Sequence, residues 1–257
     1  MEFRQPIDKA CFVNGQLTVF FYSATIWLMQ TKGYFITGTD TGVGKTFVTA
    51  GIAVVLKEKG VNVGVMKPVE TGCAEKEREL EPQDALFLKK AAGVSDELDL
   101  INPYRFKAPL APSVASRLEG KNIDLNKIKE CYDTLASKHS IMFVEGAGGI
   151  LVPLNEKETI SDLVKLLQLP LIVIAASKLG AINHTLLTVK HAQSIGIEVK
   201  GIIINYPALA TDETLSTNQT EIKRLTNIPI FGELPFCDMD RVPKMVKKYL
   251  RLSVLEQ

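Results

Sequence analysis

The sequence lacks what would mark it for large charged partners. Lys and Arg number 30 and Asp and Glu 29, a formal net charge of +1, so no overall field gathers nucleic acid or an anionic membrane. A small-molecule task suits this balance better. The four cysteines, Cys11, Cys73, Cys131 and Cys237, lie far apart with no Cys-x-x-Cys pair. That removes the usual zinc and redox spacings and reads as reduced thiols in cytosol. Histidine is scarce. Of His139, His184 and His191, only the last two, seven apart, could share a helix face, and two histidines without a nearby third ligand do not make a metal site. No low-complexity tract or internal repeat is present. The apolar run Leu17 to Met29 has 13 residues, short of the about 20 that a bilayer helix needs. It has the length of a signal-peptide core, but no small-residue cleavage site follows, and Glu2 and Asp8 dilute the positive end. Residues 1–28 therefore read as an N-terminal extension. Translation is expected to begin at Met29, directly before the first convincing strand, and residues 29–257 are expected to form a single domain.

What is there fits a globular enzyme. The 257 residues are 46% hydrophobic and 7% aromatic, with 18 glycines, enough for one full core with many tight turns. From Gly33 onward, short β-branched runs alternate with helical stretches, the pattern of a mostly parallel, twisted α/β sheet with helices on both faces. Strands are expected at Tyr34 to Thr37, Val63 to Met66, Ile141 to Val144, Leu171 to Ala176, Val199 to Ile204 and Ile228 to Phe231. Their continuous apolar character is what strands covered on both faces require. Helices are expected over Thr46 to Lys59, stopped by Gly60, over Pro82 to Ala92 with proline in the first turn, and from about Asn183 to Ser194. Thr159 and Asp162 resemble a capping box. Ligands gather beyond the carboxyl ends of such strands, and those ends carry Lys67, Glu145, Ser177, Lys178 and Asn205.

The chemistry centres on Gly38-Thr39-Asp40-Thr41-Gly42-Val43-Gly44-Lys45-Thr46, set between a strand and a buried helix as a phosphate loop requires. Glycines let backbone N–H groups turn toward phosphate oxygens, the helix start adds a positive end, Lys45 reaches the terminal phosphates, and the Thr46 hydroxyl binds Mg²⁺. The strict pattern puts glycine at position 39, where this chain has Thr39. The fold class is thus P-loop NTPase-like. Mg²⁺ takes only one or two carboxylates from a protein. Glu145 is the natural one, with an exposed loop glutamate as the alternative, and Asp84 either joins it or merely suits the helix start. Lys67 either snorkels at the rim or supplies a second cation for a substrate carrying its own negative charge.

These motifs together resemble dethiobiotin synthetase. The opening Gly-Thr-Asp-Thr-x-Val-Gly-Lys-Thr, then Lys67-Pro-Val with Thr71-Gly72, Asn102-Pro-Tyr, Val144-Glu-Gly-Ala-Gly-Gly and Lys178-Leu-Gly-Ala-Ile-Asn-His follow that family's order over roughly Gly33 to Pro235. The resemblance implies a homodimeric cytoplasmic enzyme taking 7,8-diaminononanoate, CO₂ and MgATP to dethiobiotin, ADP and phosphate, through a carbamate and its mixed anhydride with phosphate. Such chemistry needs cations and placement but no protein nucleophile. Carried over, Lys45 and Lys67 hold the carbamate and transferring phosphate, with Thr41 and Thr71 as hydroxyl partners and Gly148 beside the substrate. Thr46, Asp84 and Glu145 place Mg²⁺. Asp40, Thr41, Gly42, Val43, Gly44, Lys45, Thr46 and Glu145 surround the ATP phosphates, and Asn205 and the Gly232-Glu-Leu-Pro235 turn hold the purine. Gly42 departs from members with glutamate there, and Thr71 from those with serine. The Gly180-Ala181-Ile182-Asn183 segment is expected to hold the substrate's carboxylate tail from the neighbouring subunit, because it opens a helix whose free N–H groups suit an anion. Two other readings stand beside this one. The synthetase domain of corrin-ring amidation normally carries a glutamine-cleaving domain, and no catalytic Cys with His follows Pro235. A partition-type ATPase would carry lysine at the place of Asp40.

Overall fold

The computed structural model describes residues 10–13, 16–19, 31–208 and 214–256. The chain divides between Gln30 and Thr31 into two units. In the first, Ala10–Val13 pairs antiparallel with Gln16–Val19. The rest of the apolar run, and Met29 itself, lie outside the described residues.

The second unit alternates strand and helix: β1 (Lys32–Gly38), α1 (Lys45–Glu58), β2 (Val63–Met66), α2 (Gln83–Ala92), α3 (Leu125–Ala136), β3 (Ile141–Gly149), α4 (Ile160–Leu167), β4 (Leu171–Ala176), α5 (Ala181–Ser194), β5 (Val199–Asn205), α6 (Thr214–Leu225), β6 (Ile230–Leu234) and α7 (Val242–Tyr249). The strands form one sheet in the order β6-β5-β4-β1-β3-β2, parallel at every pairing. Alternate residues feed two cores. Tyr34, Ile36, Val65, Phe143, Ile174 and Ile203 pack with α1, α2 and α7 on one face. Phe35, Met142, Val144, Val173, Ile202 and Ile204 pack with α3, α4 and α5 on the other. Burial on both faces explains why these strands read as unbroken apolar runs.

The observed elements correct the sequence reading in three main places, beside the last strand, which runs Ile230–Leu234 and not Ile228 to Phe231. Pro82 precedes α2 as its N-cap instead of sitting in its first turn. The strand begun at Ile141 does not stop at Val144 but runs through the glycines to Gly149. Its register against β1 jumps from Ile36–Glu145 to Gly38–Gly149, so three residues of β3 face one of β1. The result is a bulge of the kind found beside active sites. Third, α3 carries its buried residues Leu125, Ile128, Cys131, Tyr132 and Leu135 at helical spacing inside a polar stretch that no strand-like run announces. The capping box is present: Thr159 N donates to Asp162 Oδ2 at 2.8 Å.

Gly201 of β5 packs directly under the ring of Phe231 in β6. A Cβ there would lie 2.3 Å from Cζ and 2.4 Å from Cε1. Gly201→Ala overpacks this point by ~1–3 kcal/mol, which should lower the melting temperature by roughly 2–10 °C. An unchanged melting curve would show that the ring shifts without cost.

Candidate functional site

The phosphate loop is built by crowding. Gly38 ends β1 where an added Cβ would stand 2.7 Å from the carbonyl of Asp40 and 3.1 Å from Lys45 Nζ. Glycine is thus demanded at 38, and the strict pattern's glycine at 39 is dispensable. Thr39 is an ordinary residue whose N–H donates to Ile174 O at 3.0 Å. Gly44 caps α1 with φ of 89°, a left-handed conformation that glycine adopts without strain. A Cβ on it would be 2.3 Å from Asn205 Nδ2. Asn205 in turn donates to Val43 O at 2.8 Å, so the end of β5 holds the loop's shape. The first turn of α1 contains no acid, which leaves its positive end available to an anion. Lys45 Nζ folds back to the carbonyl of Asp40 at 3.3 Å. Burial, and after it the charge of Lys67, push the Lys45 ammonium down to about 8.

Under the loop lies a chain of charge, buried at Lys67 and Glu145 and half-exposed at Asp84. Glu145 is 0% exposed and accepts from Thr46 Oγ1 and from Lys67 Nζ, both at 2.6 Å on Oε1. Lys67, 4% exposed, also meets Asp84 Oδ2 at 2.9 Å. Burial works against the charge on Lys67, but Glu145 and Asp84 outweigh it and hold the ammonium above its ordinary value. Both bland readings therefore fail: Lys67 does not snorkel, and Glu145 is no loop glutamate. Asn102 of the Asn-Pro-Tyr motif explains how Lys67 is held. Its Nδ2 donates to Lys67 O at 2.6 Å while Lys67 N donates to Ile101 O at 2.8 Å. Glu145 Oε2 is buried with no protein partner. Among the described residues no three His, Cys, Asp or Glu side chains cluster as a metal site; the group at hand is two carboxylates and a hydroxyl.

A cleft of about 970 Å³ opens over this chain and is lined by Thr41, Gly42, Lys45, Thr46, Thr71 and Gly148 among others, with Lys67 and Asp84. The bulge in β3 brings Gly148 to Thr41: a Cβ on the glycine would be 3.5 Å from Thr41 Oγ1. Phe47, Phe87, Pro109, Leu110 and Met239 add apolar wall that sequence reasoning missed, because they come from four separate places in the chain. Glu70, also missed, accepts from the backbone N–H groups of Asp84 and Ala85. Seven expected residues lie outside this lining: Asp40 and Val43 of the loop, the buried Glu145 beneath it, and four others. Asn205 is buried behind the loop, Pro235 follows β6 and is part-buried, and Gly180 and Asn183 open α5. Gly180 itself is the N-cap of α5, and Asn183 is exposed two residues into the helix beyond Ala181, so Asn183 is not the cap. Lys178 Nζ reaches Asp40 Oδ2 at 3.4 Å and ties this segment to the phosphate loop.

Residues 32–239 match the family model described as an AAA domain. The chain is 43% identical over 227 residues to the ATP-dependent dethiobiotin synthetase of Bacillus subtilis (strain 168), covering 87% of this chain and 97% of the relative. It is 44% identical to the enzymes of the same name from Thermodesulfovibrio yellowstonii (79% and 88% covered) and Methanocaldococcus jannaschii (77% and 91%). The chain belongs to the ATP-dependent dethiobiotin synthetase family. Its fold is shared more widely. A MinC:MinD cell division complex of Aquifex aeolicus superposes with TM-score 0.51 at 15% identity, over 83% of this chain and 86% of that one. A ParA family ATPase of Chlorobium tepidum TLS gives 0.50 at 16%, over 88% and 92%. Such identities speak to the P-loop architecture alone, whereas the dethiobiotin synthetases share the sequence along nearly their whole length.

In this dethiobiotin synthetase family member, the Lys45 value of about 8 gives phosphate binding a pH dependence. Below it the lysine is charged and ready. Above it the free protein has lost the proton, and an incoming phosphate, which favours the ammonium, must recover it. ADP affinity should therefore fall as pH rises past 8, by up to ~10-fold per unit. Calorimetry at pH 9 in two buffers of different ionisation heat should reveal uptake of up to about one proton, with almost none at pH 6.5. Equal heats in both buffers at pH 9 would count against the shifted lysine.

Proposed function

We propose that the chain carries out its family's reaction with the buried lysine-carboxylate chain as its working centre: ATP- and Mg²⁺-dependent closure of the ureido ring of dethiobiotin from 7,8-diaminononanoate and CO₂. One substrate amine takes up CO₂ as a carbamate. A carbamate oxygen accepts the γ-phosphoryl group to give a mixed carbamic-phosphoric anhydride, and the second amine attacks the carbonyl, expelling phosphate as the ring closes. Lys45 and Lys67 hold the carbamate and transferring phosphate, Thr41 and Thr71 supply hydroxyl contacts, and Gly148 lets the substrate lie close to backbone. The observation that carries this reading is Lys67: a buried ammonium fixed at the mouth of a phosphate loop suits charge that grows during transfer.

Thr46, Asp84 and Glu145 are the residues that would hold Mg²⁺. The fit rests on donor chemistry, since hard oxygen ligands, few in number, are what this ion takes from a protein, and Glu145 Oε2 is buried without a protein partner. When bound, the ion supplies neutralising charge on the phosphate oxygens. Residues 40–46 wrap the phosphates, with Asn205 and Pro235 at the purine. Asn205 supports ATP over GTP. Its Nδ2 is engaged with Val43 O, and its Oδ1 is buried and unpaired, an acceptor matched to the amino group of adenine and not to the oxo group of guanine. The cysteines Cys73, Cys131 and Cys237 are free thiols, and no helix among the described residues is long and apolar enough to cross a membrane; both accord with a cytoplasmic enzyme.

Mass spectrometry of a reaction containing diaminononanoate, bicarbonate and MgATP should detect dethiobiotin, with ATP consumed only when diamine and CO₂ are both present. Lys67→Gln should bind nucleotide nearly as before and turn over ~10²- to 10³-fold more slowly. ATP hydrolysis that ignores the diamine would sink this reading, and loss of ATP binding in the variant would assign Lys67 to the nucleotide instead.

A homodimer completes the site in this proposal. Leu179, just before the N-cap, is 86% exposed and Leu187, one helical turn after Asn183, is 60% exposed, so apolar side chains flank Asn183 and await cover where α5 begins. Gly180 and Asn183 would then hold the carboxylate tail of the partner's substrate. A contact so far from the reacting amines acts about equally on ground and transition states. Asn183→Ala should raise KM roughly 10- to 100-fold, the worth of a hydrogen bond to a charged group, while kcat and melting temperature hold. Sedimentation should show a dimer; a fully active monomer would end the shared-site idea.

A further inference from the structure

α2 starts without a cap of its own. Its N-cap is Pro82, which has no side-chain acceptor, yet the first N–H groups of a helix need partners when they are buried. Those of Asp84 and Ala85 find theirs in Glu70, fourteen and fifteen residues earlier, whose Oε1 and Oε2 accept at 2.9 and 3.0 Å respectively. Both carboxylate oxygens are used, one per N–H, so the helix start is fixed in orientation as well as in distance. Glu70 is 7% exposed and sits in the short strand Val69–Thr71, whose backbone pairs with Tyr104–Phe106. Its strand is thereby anchored by backbone pairing that does not involve α2. The bond to Asp84 N fixes the residue whose side chain meets Lys67 at 2.9 Å, and Lys67 meets Glu145 in turn.

We infer that Glu70 is a positioning residue for the metal-binding group: by capping α2 it holds Asp84 where its carboxylate can serve a cation at the foot of the phosphate loop. The inference rests on the reading of Asp84 as an Mg²⁺ ligand. Outer contacts of this kind orient the groups that touch the ion, and their loss typically weakens metal binding ~10- to 100-fold. A carboxylate that only stabilised the helix would change melting temperature and leave the metal alone.

The test is Mn²⁺ binding to the full chain in the presence of ADP, followed by electron paramagnetic resonance. Glu70→Gln should bind Mn²⁺ ~10- to 100-fold more weakly, with metal-free ADP affinity at the parent value. In an Asp84→Asn background the same change should add nothing, because Glu70 acts through Asp84. Parental Mn²⁺ affinity in Asp84→Asn overturns the reading of Asp84, and this inference with it. Weak binding in Asp84→Asn beside parental binding in Glu70→Gln overturns this inference alone, as does a full additional loss in the double variant. Should Glu70→Gln fail to fold, Glu70→Gln with Pro82→Ser supplies a side-chain cap at the helix start itself. Recovered Mn²⁺ affinity then supports positioning through the cap, and a folded variant that still binds weakly rejects it.

Discussion

The structure around the cleft depends on one buried ion pair, Lys67 with Glu145. Two charges removed from water are costly, several kcal/mol per ion even after relaxation, and such a pair persists only where every neighbour supports it. Here Thr46 shares the oxygen that Lys67 binds, Asp84 gives Lys67 a second carboxylate, and Asn102 holds the lysine's own carbonyl. The pair therefore joins the carboxyl end of β2 to the interior of β3 and the start of α1. Removing Lys67 would leave Glu145 an uncompensated buried charge, a strongly destabilising loss, whereas removing Glu145 would leave Lys67 with Asp84 as its one carboxylate partner.

The same pair shapes the electrostatics of the phosphate loop. Lys45 is buried beside Lys67, and its charge is disfavoured both by burial and by that neighbour. Lys67 owns the adjacent carboxylates, so Lys45 is left with a backbone carbonyl at 3.3 Å. One lysine is thus held firmly charged and the other is held in waiting for an anion. The difference comes from which of the two is nearer Glu145, with no difference in residue type.

Much of this was legible in the residues, and the rest was not for identifiable reasons. Val63 to Met66 and Leu171 to Ala176 stood out as strands with their bounds intact, because burial on both faces leaves nothing polar to blur the ends. The phosphate loop declared itself through Gly-Lys-Thr, although only the crowding at Gly38 explains why glycine sits one place early. Glu145 read as the natural carboxylate beyond a strand ending at Val144, and only the bulge in β3 reveals that the strand continues past it to Gly149. Glu70 was invisible, since a cap drawn from fourteen residues away leaves no local pattern; the signal to look for was Pro82, a helix start without an acceptor. The apolar wall of Phe47, Phe87 and Met239 was equally hidden, because no spacing in the sequence brings those residues together.

Sheet order explains why these particular groups meet. From β1 the chain passes over β3 to build β2, returns to place β3 between them, and then crosses to the other side of β1 for β4, β5 and β6. The reversal leaves a crevice beyond the carboxyl ends of neighbouring strands, where ligands of open α/β sheets bind. β1 delivers the phosphate loop, β3 delivers Glu145 and the bulge that carries Gly148, and β2 ends one residue before Lys67. Asn205 comes from the far side of the reversal, at the end of β5, and meets the same loop from behind. The site therefore spans the point where the direction of winding changes. Its lysine, one residue past β2, and its carboxylate, on β3, come from segments distant in sequence that this order of strands brings together.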